Sequence, residues 1–267
     1  MARRAKHWPS SNVSIDSSTG VKGECVSGFY GKLPAFGDFV WRRLPREFRS
    51  QWDPWLQEGM RCSRERLGEP WLDMYLGAPL WRFALRPNVI DDNMWVGVLM
   101  ASVDRAGRYF PFTVATPCDA TVSIVDLPTL AAGWLTHSEN LMLDALANDA
   151  LDVELLDEAI SSNRLDIDPV PSRMALETVR RSDSSLWLAC HRGAEVAGAA
   201  MSQALVTGAL DKGDIGSVWW TAGGAHFAPT YVFATGLIAP EEFHGLLSGH
   251  DAAIAATDGA VETAQDA

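Results

Sequence analysis

Residues 94–116, MWVGVLMASVDRAGRYFPFTVAT, decide the architecture. An apolar run from Met94 to Val103 and another from Arg108 to Thr116 flank the short polar stretch Asp104–Gly107. β-Branched and aromatic residues suit a pleated, half-buried surface, and the glycine between them supplies a turn. The reading is an antiparallel hairpin. Val26 to Tyr30, Leu80 to Leu85, Leu186 to Cys190, Val218 to Trp220 and Tyr231 to Thr235 read as further strands.

Helical spacing occupies the gaps. In residues 45–67, Phe48, Trp52, Trp55, Gly59, Ser63 and Leu67 recur every three or four positions. Asp53-Pro54 is expected to start a second helical piece there, with Asp as cap and Pro in the first turn. Leu127 to Leu146, Val153 to Ile160, Gly193 to Leu205 and Glu241 to Leu247 complete the expected helices. Strands interspersed with helices, plus a hairpin, predict an α/β fold. It is a mixed, partly antiparallel sheet covered by helices, a three-layer α/β/α sandwich. One domain is expected over residues 25–250. The polar, Ser-rich residues 1–24 are expected to be a disordered leader and the Ala/Asp-rich residues 251–267 a disordered tail.

Composition narrows the function. The chain has 267 residues, is 47% hydrophobic and carries a formal net charge of −12. A field of that sign repels phosphate backbones, so no nucleic-acid partner is expected. The longest apolar run, Met94 to Ala101, falls far short of the roughly 20 residues a bilayer span needs, so no membrane association is expected. Arg3, Arg4 and Lys6 precede a polar stretch without an apolar export core, which predicts a cytoplasmic protein. Cys25, Cys62, Cys118 and Cys190 form no Cys-x-x-Cys pair and read as reduced, mostly buried thiols. Charge is divided unevenly: residues 25–118 hold 12 Lys and Arg against 10 Asp and Glu, residues 119–250 hold 6 against 18. Most such charges are solvated faces, but an acidic half can also meet a basic surface on a partner.

Catalytic signatures are missing. There is no G-x-G-x-x-G after a strand, no Walker-type loop, no H-E-x-x-H and no G-x-S-x-G. His244 and His250 are six apart, a spacing that does not share a helical face. Asp91-Asp92 reads as loop, and Asp152, Glu154, Asp157 and Glu158 as the exposed face of a short helix. No catalytic residue, metal, cofactor or required small molecule is expected.

Three segments exceed what plain packing requires. GFYGKLPAFGDFV, residues 28–40, sets Gly31, Pro34 and Gly37 in a tight loop with Lys32 and Asp38 displayed. Such a loop is either a structural turn or a backbone cradle for an anion. WRFAL, residues 81–85, places Arg82 in a strand. At the hairpin tip, Asp104, Arg105 and Arg108 flank a Gly turn, as local ion pairs or as a recognition tip for a carboxylate or phosphate. Among Trp41, Trp71, Trp81, Trp219 and Trp220, any exposed ring would be a natural interface anchor.

Taken in order, GFYGKLPAFGDFV, the W-D-P-W-L helix, APLWRFAL, WVGVLMASVDRAGRYFPF and SVWWTAGG resemble the TagF (ImpM) family, associated with the bacterial type VI secretion system. The dense match covers roughly residues 28–118, with a weaker echo at 217–249. Phe36 stands where the family usually carries arginine, in K-L-P-A-R-G-D-F. The resemblance implies a post-translational repressor that restrains the apparatus by binding, in some systems by sequestering a forkhead-associated scaffold protein. It makes the candidate partner-binding residues Lys32, Pro34, Gly37, Asp38, Arg82, Asp104, Arg105, Arg108, Trp219 and Trp220. The alternative is an enzyme with a loop-built site around Lys32, Asp38, Arg105 and Arg108.

Overall fold

The hairpin forms as β4 (Met94–Met100) and β5 (Phe112–Cys118), antiparallel and in register from Met94 opposite Cys118 to Met100 opposite Phe112. Toward the tip its strands stop short of the expected limits, because Pro111 has no N–H for the ladder and interrupts pairing there, while β5 runs two residues past Thr116. One isolated bridge, Val103 to Tyr109, continues the pairing beyond it. The computed structural model describes residues 26–166, 176–181, 185–190, 215–224 and 227–248. The expected leader, tail and 193–205 helix lie outside these residues.

Around the hairpin the sheet reaches nine strands. With β1 (Gly28–Gly31), β2 (Val40–Arg42), β3 (Trp81–Leu85), β6 (Leu176–Arg181), β7 (Ser185–Cys190), β8 (Ser217–Thr221) and β9 (Thr230–Ala234), its order is β2-β1-β5-β4-β3-β8-β9-β7-β6. The expected α/β sandwich is present, and its sheet is more uniform than a mixed one, each named pairing being antiparallel. Alternation assigns the faces. Met94, Val96, Val98 and Met100 of β4 join Phe112 and Val114 of β5 on one side, while Trp95 and Leu99 point to the other. Gly97 is held small by its neighbours: a Cβ there would lie 2.3 Å from the Phe83 ring.

Helices α1 (Arg46–Leu67), α2 (Trp71–Leu76) and α6 (His244–Ser248) cover the Trp95 face. The opposite face is covered by α3 (Leu127–Leu130), α4 (Ala132–Ala147) and α5 (Val153–Ser162). Among the described residues no helix is long and apolar enough to cross a membrane. Helix α1 runs unbroken through Pro54, so no second helix starts at Asp53. The carbonyl that Pro54 leaves without a donor belongs to Ser50, an exposed residue, where water can serve it. The expected 127–146 helix is divided at Ala131, and the expected 241–247 helix is a 3-10 turn (Pro240–Glu242) followed by α6.

Three elements went unread: β2, β6 and α2. β2 is three residues long and is followed by Arg43, which adopts φ 56, a left-handed conformation that costs a side chain about 1–2 kcal/mol. The Arg43 guanidinium offsets that cost by donating to the Ser27 carbonyl (2.7 Å) and to Asp157 of α5 (2.7 Å).

Candidate functional site

Two motif segments converge at the end of the sheet. Gly31 closes β1 at φ 142 with the Pro111 carbonyl 2.2 Å from where a Cβ would sit. Only glycine permits that approach, and it presses residues 32–38 against the hairpin tip. The tip then grips the loop by three consecutive carbonyls. The backbone N–H of Arg105 donates to Phe36 O (2.9 Å), the Arg105 guanidinium donates to Ala35 O, and Arg108 Nη2 donates to Gly37 O at 2.6 Å.

Asp104 anchors the tip. Its Oδ2 accepts from Lys32 Nζ (2.9 Å) and Arg108 Nε (2.7 Å), and its Oδ1 accepts from the backbone N–H groups of Ala106 and Arg108, each at 2.9 Å. Lys32 is 6% exposed and Asp104 is 3% exposed. Burial alone would raise the Asp104 pKa. The Arg108 N–H, the Lys32 and Arg108 side chains and the Ala106 N–H outweigh it and hold the carboxyl well below the usual carboxylate range. Ser102 Oγ donates to Lys32 O (2.7 Å), while Tyr75 OH donates to Ser102 O (2.8 Å) and accepts from Ser102 N–H (3.0 Å), tying α2 to the same knot.

The expected residues therefore separate. Lys32, Asp104, Arg105, Arg108 and Gly37 come together, but Lys32 is buried in an ion pair and not displayed. Gly37 has open space where a Cβ would sit and contributes its carbonyl. Pro34, Asp104, Arg105 and Asp149 line an open hollow of about 690 Å³ beside the tip. Asp38 is exposed, its carboxylate bonded to the next N–H, that of Phe39 (2.9 Å), and it stands outside the knot. Arg82 lies elsewhere, forked onto Glu139 of α4 at 2.7 and 2.6 Å.

Trp219 and Trp220 are corrected from partner anchors to core, at 0% and 1% exposure. They are consecutive in a strand covered on both faces, so each ring points into a different layer. Trp219 packs at 5.3 Å on Trp55 and 5.2 Å on Phe83, whereas Trp220 stacks on Tyr231. Of the five tryptophans singled out, Trp41 is the exposed one, at 46%, and Phe39 beside it is 37% exposed. Tyr75 and Ser102 carried no sequence signal of their own. Among the described residues no group of three His, Cys, Asp or Glu side chains is placed to hold a metal ion.

Comparison with known proteins identifies the arrangement. A family model described as the TagF N-terminal domain, type VI secretion system-associated, matches residues 28–162, the stretch that builds the knot and helices α1 to α5. The crystal structure of PA0076 from Pseudomonas aeruginosa PAO1 is similar with a TM-score of 0.63 and 37% identity, over 84% of this chain and 94% of that one. No curated protein matches. The chain belongs to the TagF family of type VI secretion system-associated proteins.

Proposed function

We propose that this protein restrains a type VI secretion system post-translationally, by binding and not by catalysis. It acts in the cytoplasm by sequestering a forkhead-associated scaffold component of the apparatus. The observation that carries the reading is the gripped hairpin tip. Arg108 has a side chain 57% exposed yet fixed at one end by Asp104 and Gly37, so part of its donor fork faces outward at little further entropic cost. Arg105, also exposed, stands beside it. A partner carboxylate or phosphate is the complementary group.

The convergence of Lys32, Asp104 and Arg108 beside a hollow is what an enzyme reading would use. Against it, Asp104 is held ionised far below neutral pH and Lys32 is locked onto it, whereas proton transfer needs groups poised near the working pH. Asp38 is outside the cluster. The test is equilibrium binding of the purified forkhead-associated scaffold at near-physiological salt. Near-equimolar complex is expected, weakened roughly tenfold by Arg105→Ala with Arg108→Ala. Absence of complex with the unsubstituted protein overturns the sequestration reading.

A further inference from the structure

On one flank of α1 two arginines rest on aromatic rings. Arg42, Arg43, Arg61, Arg82, Arg108 and Lys32 each hold a carboxylate. Arg49 and Arg64 hold none among the described residues. Instead, the Arg49 guanidinium lies 3.9 Å over the Trp41 ring and that of Arg64 lies 4.2 Å over Trp71. Arg49 Nε also donates to Leu44 O at 3.2 Å. An arginine over an aromatic face has further N–H groups that a carboxylate can take.

Between these two posts runs a continuous aromatic floor. Asp53, one turn beyond Arg49, accepts from Tyr30 OH at 2.5 Å, so this carboxylate is already engaged. Tyr30 stacks on Phe39 at 5.4 Å, and Phe39 meets Phe110 edge-on at 4.8 Å. Phe110 and Tyr109 then line, with Gln57, Met60, Arg61, Arg64 and Glu65, an open hollow of about 730 Å³. Tyr109 in turn touches Trp71 at 6.0 Å. Glu65 is taken by Arg61. At 1.5 Å per residue, Arg49 and Arg64 stand about 22 Å apart along the helix, and their directions differ by only ~60°. An extended chain covers that span in about seven residues.

We infer that this groove docks an extended acidic segment of a protein partner, with two carboxylates about seven residues apart on Arg49 and Arg64 and apolar side chains between them over Tyr109 and Phe110. The inference rests on the protein-binding reading and assigns it a second surface, beyond the hairpin tip. Charge complementarity selects the occupant: Arg49 and Arg64 hold no carboxylate among the described residues. They lie in residues 25–118, where 12 Lys and Arg stand against 10 Asp and Glu, not in the strongly acidic second half.

The probe is a fluorescein-labelled peptide of about nine residues with glutamates about seven positions apart and leucines between, titrated by anisotropy against the full chain. Saturable binding is expected, weakened about three- to fivefold by Arg49→Gln or Arg64→Gln singly and about tenfold by both, as for partly exposed ion pairs. A control peptide with glutamines for glutamates should bind no better to the unsubstituted protein than to the double variant. Both arginines are on the surface, and an unchanged unfolding midpoint verifies that the variants fold. No saturable binding, or equal affinity for the glutamine peptide, overturns the inference. So does concentration-dependent self-association abolished by the same two substitutions, which would make a second copy the occupant. Retention of the forkhead-associated scaffold is measured in parallel. If the scaffold binds and the peptide does not, the groove fails and the sequestration reading stands; peptide binding without scaffold gives the reverse.

Discussion

The two faces of the sheet are cemented differently. On the α1 face the core is aromatic: Trp52 touches Phe48, Trp55, Phe83 and Trp219 at ring-centroid distances of 5.2, 4.8, 4.9 and 5.9 Å. On the α4–α5 face it is largely aliphatic, with Val96, Val98, Val114, Leu135, Met142, Leu156 and Ile160. That second layer is bound to the rest by polar links. Trp134 Nε1 and Ser27 Oγ both donate to Asn163 O at 3.1 Å, and Asn163 Nδ2 donates to Ser138 Oγ at 2.9 Å. Arg42, Arg43 and Arg82 reach across to Glu154, Asp157 and Glu139. Three arginines of the first half thus pair with carboxylates of the acidic half on one face. On the other, Arg49 and Arg64 rest on rings.

The largest effect should come from removing the centre of the aromatic layer. Trp52→Ala deletes a fully buried ring and its hydrogen bond to Thr113 Oγ1 (2.9 Å), and should cost about 4–5 kcal/mol in urea unfolding. Met142→Ala on the other face should cost about 2–3 kcal/mol, since an aliphatic layer gives up less area. Equal losses would show that the two faces do not differ in cohesion.

Asp104→Asn comes next, at about 3 kcal/mol near neutral pH, because it leaves Lys32 buried beside a neutral amide. The Asp104 carboxyl is depressed in the folded state, so its contribution is complete above the unfolded pKa near 4. It is lost as pH falls from there through the folded value. The gap between wild type and Asp104→Asn should therefore be constant from pH 7 to about 5 and shrink in stronger acid. A gap that widened in acid would reverse the sign assigned to this group.

How legible this was depends on the range of the interaction. Helix α1 was readable because its buried residues Phe48, Trp52, Trp55, Gly59 and Ser63 follow the helical period. The hairpin was readable because its strands are neighbours in sequence. Recognition of the motif segments located the knot, but not its wiring. Lys32 and Asp104 are 72 residues apart, and a lysine in a polar loop reads as exposed unless its partner is known. Trp219 and Trp220 misled for a related reason, because a strand covered on both faces buries consecutive residues and erases the alternation that marks an outside. The ring-stacked arginines of α1 are equally hidden in the sequence, since stacking on Trp41 and Trp71 depends on where β2 and α2 pass, and neither element is predicted.

Arg43 offers a smaller test of the polar face. Arg43→Ala keeps the left-handed backbone but loses the bonds to Ser27 and Asp157, whereas Arg43→Gly loses the bonds and relieves the strain. The glycine variant should therefore be about 1 kcal/mol more stable than the alanine one, measured by chemical denaturation. Equal stabilities would mean that Arg43 moves to an ordinary conformation once its guanidinium is gone.

The smallest effects discriminate among the cross-links themselves. The Arg82–Glu139 pair is forked and its side chains are only 17% and 20% exposed, while Arg42–Glu154 is a single contact between side chains 38% and 71% exposed. Both are close ion pairs, at 2.6 and 2.7 Å, so distance does not separate them. Solvent does: water screens the exposed pair and its long side chains lose more freedom on pairing. Double-mutant cycles to alanine should give a coupling of about 1–1.5 kcal/mol for Arg82–Glu139 and about 0.3 kcal/mol or less for Arg42–Glu154. Adding salt to ~1 M should erase the second and leave most of the first. If the two couplings match, exposure does not grade these links. The polar face would then be held by its apolar layer and the Ser27–Trp134–Asn163 bonds, with the arginines contributing orientation alone.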